Sequence, residues 1–351
     1  MIITLEELNN IISNDNTFII KCCGGAGNFI GCMLRGILYY KQSKLEKTHK
    51  LIIMSFPVYN GDFVISDIFE FSDNIYIYNN SKKYGYYIEN SFKINDFKDI
   101  NNYLSNPFEA NEFSNFFLNL ENNEKISKLK DYNCITYNSN YLTIPNIALN
   151  YCKELLKDFN IHIKSHINEK INIFLKQHKI GSDGNSIGIH YRGTDIHGDR
   201  NRDLLSFDKF LIELDMILKK DKNIKTIFIC SDEENVEHKI KEIYKNNYTC
   251  VSFQKNSSVK KIPDLENYDW FINNPCDIKE IKDNDKINKS CGWTIQSYNT
   301  LEYIFNTWRD KYQVIDAIID TIIFNSCSKN FVNTSSTLQT LGHLLINLNL
   351  L

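Results

Sequence analysis

Apolar positions along the chain alternate between unbroken runs and helical spacing, and each switch marks an element. Residues 5–13 have the spacing of a short helix. The run 18–22 reads as a strand, then comes a glycine-rich turn, then helical spacing over about 29–42. Residues 50–55 and 75–78 read as further strands. Residues 81–121, rich in Asn, Phe and Tyr with weak periodicity, predict loops and short helices. Helical spacing returns over 151–159 and 167–178. The polar cluster Gly181-Ser182-Asp183-Gly184-Asn185 then breaks the pattern and reads as a linker.

Beyond it the alternation is clearer. Residues 186–190 predict a strand and 206–218 a helix, with Ser206 as N-cap and its apolar residues on one face. Residues 226–230 predict a strand, 231–233 a turn, 235–244 a helix and 249–253 a strand. Residues 255–295 are polar and irregular, with Trp270 and Trp293 as candidates to shape an acceptor site or simply to pack the segment down. An apolar helix over 313–324, a strand over 330–333 and a helix over 335–346 close the chain. Strands alternating with helices predict parallel βαβ units. The expected class is α/β with two Rossmann-like domains, 1–182 and 183–351.

Composition changes this picture little. The chain has 351 residues, of which 42% are hydrophobic and 24% charged, with a formal net charge of -3. That suffices for two cores and gives no basic footprint for nucleic acid. The 10 cysteines show no zinc spacing, so buried reduced thiols are expected. No apolar run approaches the ~20 residues that span a bilayer, and residues 1–16 do not read as a signal peptide. A cytoplasmic location is expected, with peripheral membrane association left open.

Candidate chemistry centres on one strand and the polar loop after it. Ile187-Gly188-Ile189 leads into His190-Tyr191-Arg192-Gly193-Thr194-Asp195. Ligands of open α/β sheets bind beyond the carboxyl ends of strands. Arg192 offers a planar fork of donors suited to a diphosphate. Gly193 allows close backbone approach, and Thr194 adds a hydroxyl. Two more segments come after it in order. The strand 227–230 ends in Ser231-Asp232-Glu233. A helix carrying Asp316 and Asp320 precedes Asn333-Thr334-Ser335-Ser336-Thr337, where hydroxyls at a helix N-terminus form an anion site or plain caps. Near the N-terminus, Cys23-Gly24-Gly25-Ala26-Gly27-Asn28 joins a strand to a helix. It is not a P-loop, and a NAD site is the alternative for this turn alone.

Together these segments resemble the motifs of the fucosyltransferase superfamily, which includes nodulation and α-1,6-, α-1,2- and protein O-fucosyltransferases. The central segment is similar to its His-x-Arg-x-x-Asp motif, with Gly193 where the α-1,6 enzymes place a second Arg. The resemblance implies a GT-B-like fold, two Rossmann-like domains facing across a cleft, the second binding the nucleotide sugar and the first on the acceptor side. It implies inverting transfer of fucose from GDP-fucose to a glycan hydroxyl, with no metal or other cofactor. Arg192 would contact the β-phosphate. His190, Gly193, Thr194, Ser231, Asp232, Asp320, Ser335, Ser336 and Thr337 would bind the donor, and Gly25, Gly27 and Asn28 would line the cleft. The base would be a carboxylate, with Asp195, Asp199 and Asp203 as candidates; Asp199 is preferred by position, and Asp195 reads equally as a partner of Arg192. Two alternatives stay open: a metal-dependent hydrolase using His190, Asp195, His197 and Asp199, and a non-catalytic sugar-nucleotide-binding scaffold. The Asp-x-Asp spacing at Asp283-Asn284-Asp285 reads as a solvated loop.

Overall fold

The structure is a computed structural model that describes residues 1–22, 26–55, 63–79, 97–99, 131–137, 152–154, 156–181, 184–192, 205–231, 234–255, 311–333 and 337–351. The chain divides into two compact units. One holds Met1–Ser165 with His343–Leu351, and the other holds His166–Gly342. The expected boundary at 182/183 falls inside the second unit, between its first helix and its first strand.

The first unit is built on a parallel six-stranded sheet. Its strands are β1 (Ile2–Ile3), β2 (Thr17–Cys22), β3 (Lys50–Ser55), β5 (Ile75–Asn79), β6 (Phe97–Asp99) and β7 (Cys134–Tyr137), in the order β1-β5-β3-β2-β7-β6. A separate antiparallel pair joins β4 (Phe69–Glu70) to β8 (His162–Ile163). All six positions of β2 are buried, as a central parallel strand covered on both faces requires. Helix α1 (Leu5–Asn14) starts at a reciprocal cap: the Glu7 N–H donates to Thr4 Oγ1 at 3.2 Å, and the Thr4 N–H donates to Glu7 Oε2 at 2.7 Å. Its Leu8 and Ile11 pack with Ile19, Ile52 and Met54 on one face of the sheet. Helix α2 (Ala26–Gln42) covers the other face, where Tyr39 and Tyr40 lie against the Phe18 ring.

The second unit carries a four-stranded sheet of β9 (Ser186–Tyr191), β10 (Thr226–Ser231), β11 (Thr249–Val251) and β12 (Lys329–Val332). Their order is β11-β10-β9-β12, and every pairing is parallel. Alternation along β9 and β10 decides the layers. Ile187, Ile189, Tyr191, Ile227 and Ile229 share one core with Phe210, Leu214 and Leu218 of α4 (Phe207–Lys220) and Val236 and Ile240 of α5 (Glu234–Tyr244). The opposite face meets α3 (Ser165–Gln177), through the Phe174–Phe228 ring contact at 5.8 Å, and α6 (Lys311–Ser326), through Phe324. Gly188 lets α6 come close: a Cβ there would stand 2.9 Å from the Phe324 carbonyl oxygen. Helix α6 is apolar almost all round and buried along most of its length, which makes its two aspartates conspicuous. Helix α7 (Thr337–Asn347) comes after β12.

The cysteines of the described residues are free thiols, all buried except the half-buried Cys250. Among the described residues no helix is long and apolar enough to cross a membrane.

Candidate functional site

Strand order locates the site before any side chain is considered. From β9 the chain steps outward to β10 and β11, then returns to place β12 on the other side of β9. The carboxyl ends of β9 and β12 therefore flank a point where the winding reverses, the place where open α/β sheets bind their ligands. Arg192 is the first residue after β9, and Asn333 the first after β12. The ladder between the two strands ends at the pair Val332 and His190. Past it, the buried Asn333 takes over. Its N–H donates to the His190 carbonyl at 3.3 Å. Its Oδ1 accepts the Arg192 N–H at 2.9 Å, and its Nδ2 donates to the Arg192 carbonyl at 2.9 Å. The Leu205 N–H donates to the Asn333 carbonyl at 3.3 Å.

The end of β10 is held by charge. Ser231 donates its N–H to Glu237 Oε1 at 3.1 Å, and its carbonyl accepts from Lys255 Nζ at 2.7 Å. Lys255 also pairs with Glu237, and its Nζ stands 3.4 Å from Asp320 Oδ2 on α6. Burial opposes the Lys255 charge, but the carboxylates of Asp320 and Glu237 outweigh it and hold the ammonium protonated. Asp320 is only 6% exposed, and its Oδ1 has no hydrogen-bond partner among the described residues. Burial pushes its carboxyl up to about 7; Lys255 pulls against that shift, while Glu237 and Asp316 add to it. Two carboxylates sharing one ammonium out of water leave one negative charge too many, and Asp320 relieves the excess by holding a proton. The Cys230 thiol beside this cluster is pushed well up by burial and by Asp320, so it is an inert thiol rather than a nucleophile.

The structure thus brings together His190, Arg192 and Ser231 on adjacent strand ends, with Lys255 linking Ser231 to Asp320. His190 also turns its ring edge to Phe324 at a centroid distance of 6.4 Å. Thr337 is the first residue of α7, so it stands at a helix N-terminus. Gly27 and Asn28 lie in the first turn of α2, directly beyond β2. In the first unit β2 occupies the equivalent switch position, between β3 and β7. Gly25, Gly193, Thr194, Asp195, Asp199, Asp232, Ser335 and Ser336 lie outside the described residues, as do His197, Asp203, Asp283, Asp285, Trp270 and Trp293.

Sequence reasoning includes Asn333 in the segment before α7 but gives it no role, and it misses Glu237 and Lys255 as parts of this edge. Asn333 carried a usable signal, a polar amide at the carboxyl end of a strand. Glu237 reads as one more solvated acid in an amphipathic helix. Nothing local marks Lys255.

Among the described residues no group of His, Cys, Asp and Glu could hold a metal ion. No known protein family and no curated protein matches the sequence. Solved structures similar to the chain include NodZ α-1,6-fucosyltransferase soaked with GDP-fucose, at a TM-score of 0.47 and 12% identity over 95% of this chain and 93% of that one. Fucosyltransferase NodZ from Bradyrhizobium is similar at a TM-score of 0.47 and 13% identity, over 95% and 94% of the two chains. POFUT1 in complex with GDP is similar at a TM-score of 0.44 and 11% identity, over 94% and 95%.

Proposed function

We propose that the second unit binds a nucleotide sugar, GDP-fucose, at the β9/β12 switch point, and that the chain transfers the sugar to a glycan hydroxyl with inversion. The observation that carries this reading is the position of Arg192. It lies directly after the first strand of the sheet, at the place where the winding reverses, and the chain beyond the opposite strand leads through Ser335 and Ser336 to a helix N-terminus at Thr337.

The chemistry asks for two things. As the acceptor oxygen attacks the anomeric carbon, the bond to the diphosphate breaks and negative charge gathers on the leaving group. A guanidinium and a helix N-terminus stabilise that charge with no proton transfer. The acceptor hydroxyl must also lose its proton, and a carboxylate takes it; Asp199 is the proposed base, with Asp195 either an alternative base or a partner of Arg192. Asp320 offers its unpartnered oxygen to a donor on the bound nucleotide. No metal is required, since Arg192 and the start of α7 supply the positive potential.

Isothermal titration of Arg192→Ala with GDP tests the assignment. A charge-assisted hydrogen bond contributes about 1.5–3 kcal/mol, so affinity should fall about ten- to a hundredfold while circular dichroism and melting temperature stay near wild type. Unchanged GDP affinity in the folded variant would remove Arg192 from the site. A thermal-shift screen of nucleotide sugars identifies the donor, because the tightest ligand raises the melting temperature most.

A further inference from the structure

We infer that Asn333 is a positioning residue for the diphosphate contact. It sets the peptide from which the Arg192 guanidinium springs, and the inference rests on the role proposed for Arg192. An asparagine side chain carries the same acceptor and donor as a peptide group. Here both halves are used on one residue 141 positions away: Oδ1 on the Arg192 N–H and Nδ2 on the Arg192 carbonyl, each at 2.9 Å. The paired residues of β9 and β12 end at His190 and Val332, two residues before Arg192 and one before Asn333. The side chain of Asn333 therefore extends the sheet by one more rung, and the residue it extends is the first with a long cationic side chain. Asn333 is only 3% exposed, so water does not compete for these bonds. Its own backbone adds two anchors, its N–H on the His190 carbonyl and its carbonyl on the Leu205 N–H. Arg192 and Leu205, the described residues on either side of 193–204, thus both bond to this one residue.

A rung made by a side chain can be tuned by one substitution while the strands stay paired. Asn333→Ala removes both bonds to Arg192. Asn333→Asp keeps the shape and the acceptor but loses the donor, and as a carboxylate it sets a charge against the Arg192 carbonyl. A protonated carboxyl has one donor and one acceptor again. The Asp variant should therefore recover GDP affinity relative to wild type as the pH falls, whereas the Ala variant should not.

The experiment is a double-mutant cycle on GDP binding by isothermal titration, with guanosine binding followed by ligand-observed NMR. Asn333→Ala should weaken GDP about tenfold and leave guanosine unchanged. In the Arg192→Ala background the same substitution should cost nothing further, because its effect passes through Arg192. Equal losses for GDP and guanosine, or full additivity with Arg192→Ala, would overturn the inference. If Arg192→Ala leaves GDP binding intact, the proposed role of Arg192 fails; if only the Asn333 variants do, that role stands and the positioning does not. Should the Ala variant not fold, the pH dependence of the Asp variant decides, and a GDP affinity that tracks wild type at every pH counts against the rung.

Discussion

A carboxyl group sealed beside Cys230, Glu237 and Lys255 cannot keep its ordinary acidity, and at Asp320 the outcome is set by two opposed effects. Burial disfavours the charge, and the single ammonium of Lys255 is shared with Glu237. The result is a proton held up to about pH 7. The unfolded chain gives that proton up near the ordinary carboxyl value. Between the two the native state binds more protons, so its stability falls as pH rises through that window. Asp320→Asn keeps the shape and stays neutral throughout. It should melt higher than wild type at neutral and alkaline pH, and its melting temperature should decline less from mildly acidic to neutral pH. Parallel profiles for the two proteins would mean that Asp320 is ionised throughout. If Asp320 also accepts a donor from the nucleotide, the variant should bind GDP less tightly despite its higher stability.

Elements hold these groups in place through close backbone approach. Gly342 in α7 faces the Thr321 carbonyl of α6, and a Cβ there would collide with that backbone oxygen and with the side chains of Thr321 and Asn325. Backbone cannot move aside as a flexible side chain can, so Gly342→Ala should destabilise by about 1–3 kcal/mol in urea titrations, with the slope unchanged. A loss of only a few tenths would mean that α7 shifts freely on α6. The sequence made some of these elements legible and not others, for physical reasons. The apolar runs of β9 and β10 announced buried parallel strands because both faces are covered. Strand β7 (Cys134-Ile135-Thr136-Tyr137) escaped notice, since four mixed residues carry no period, and β1 is shorter still. The sequence reading sets strand β12 over 330–333, one residue late: its paired residues end at Val332, and Asn333 adds side-chain bonds to Arg192 beyond them. Arg192 could be found from the strand before it. The Lys255–Glu237 clamp on Ser231 could not, because only the fold joins a coil residue to a helix acid and a strand end.

At the scale of the whole molecule, each unit winds outward from an inner strand and returns on its other side, β2 in one and β9 in the other. Each sheet therefore has its own switch point, and of the two strands β2 and β9 only β9 has an arginine directly beyond it. This asymmetry makes the two units distinguishable by ligand. Binding stabilises the native state by mass action, and it suppresses first the local openings that break the bound surface. Hydrogen exchange of the intact chain with and without GDP should therefore slow at the carboxyl ends of β9, β10 and β12 and in the first turn of α7, including the amides of Arg192, Ser231 and Asn333. Amides of β1 and β5, which lie beyond β3 from the β2/β7 switch, should exchange at unchanged rates. In Arg192→Ala the protection at β9 and β12 should shrink with the lost affinity. Protection confined to the turn after β2 would move the nucleotide to the first unit's switch point, where Gly27 and Asn28 open α2. Protection at β10 and Asp320 alone would keep the nucleotide in the second unit but take the diphosphate away from Arg192.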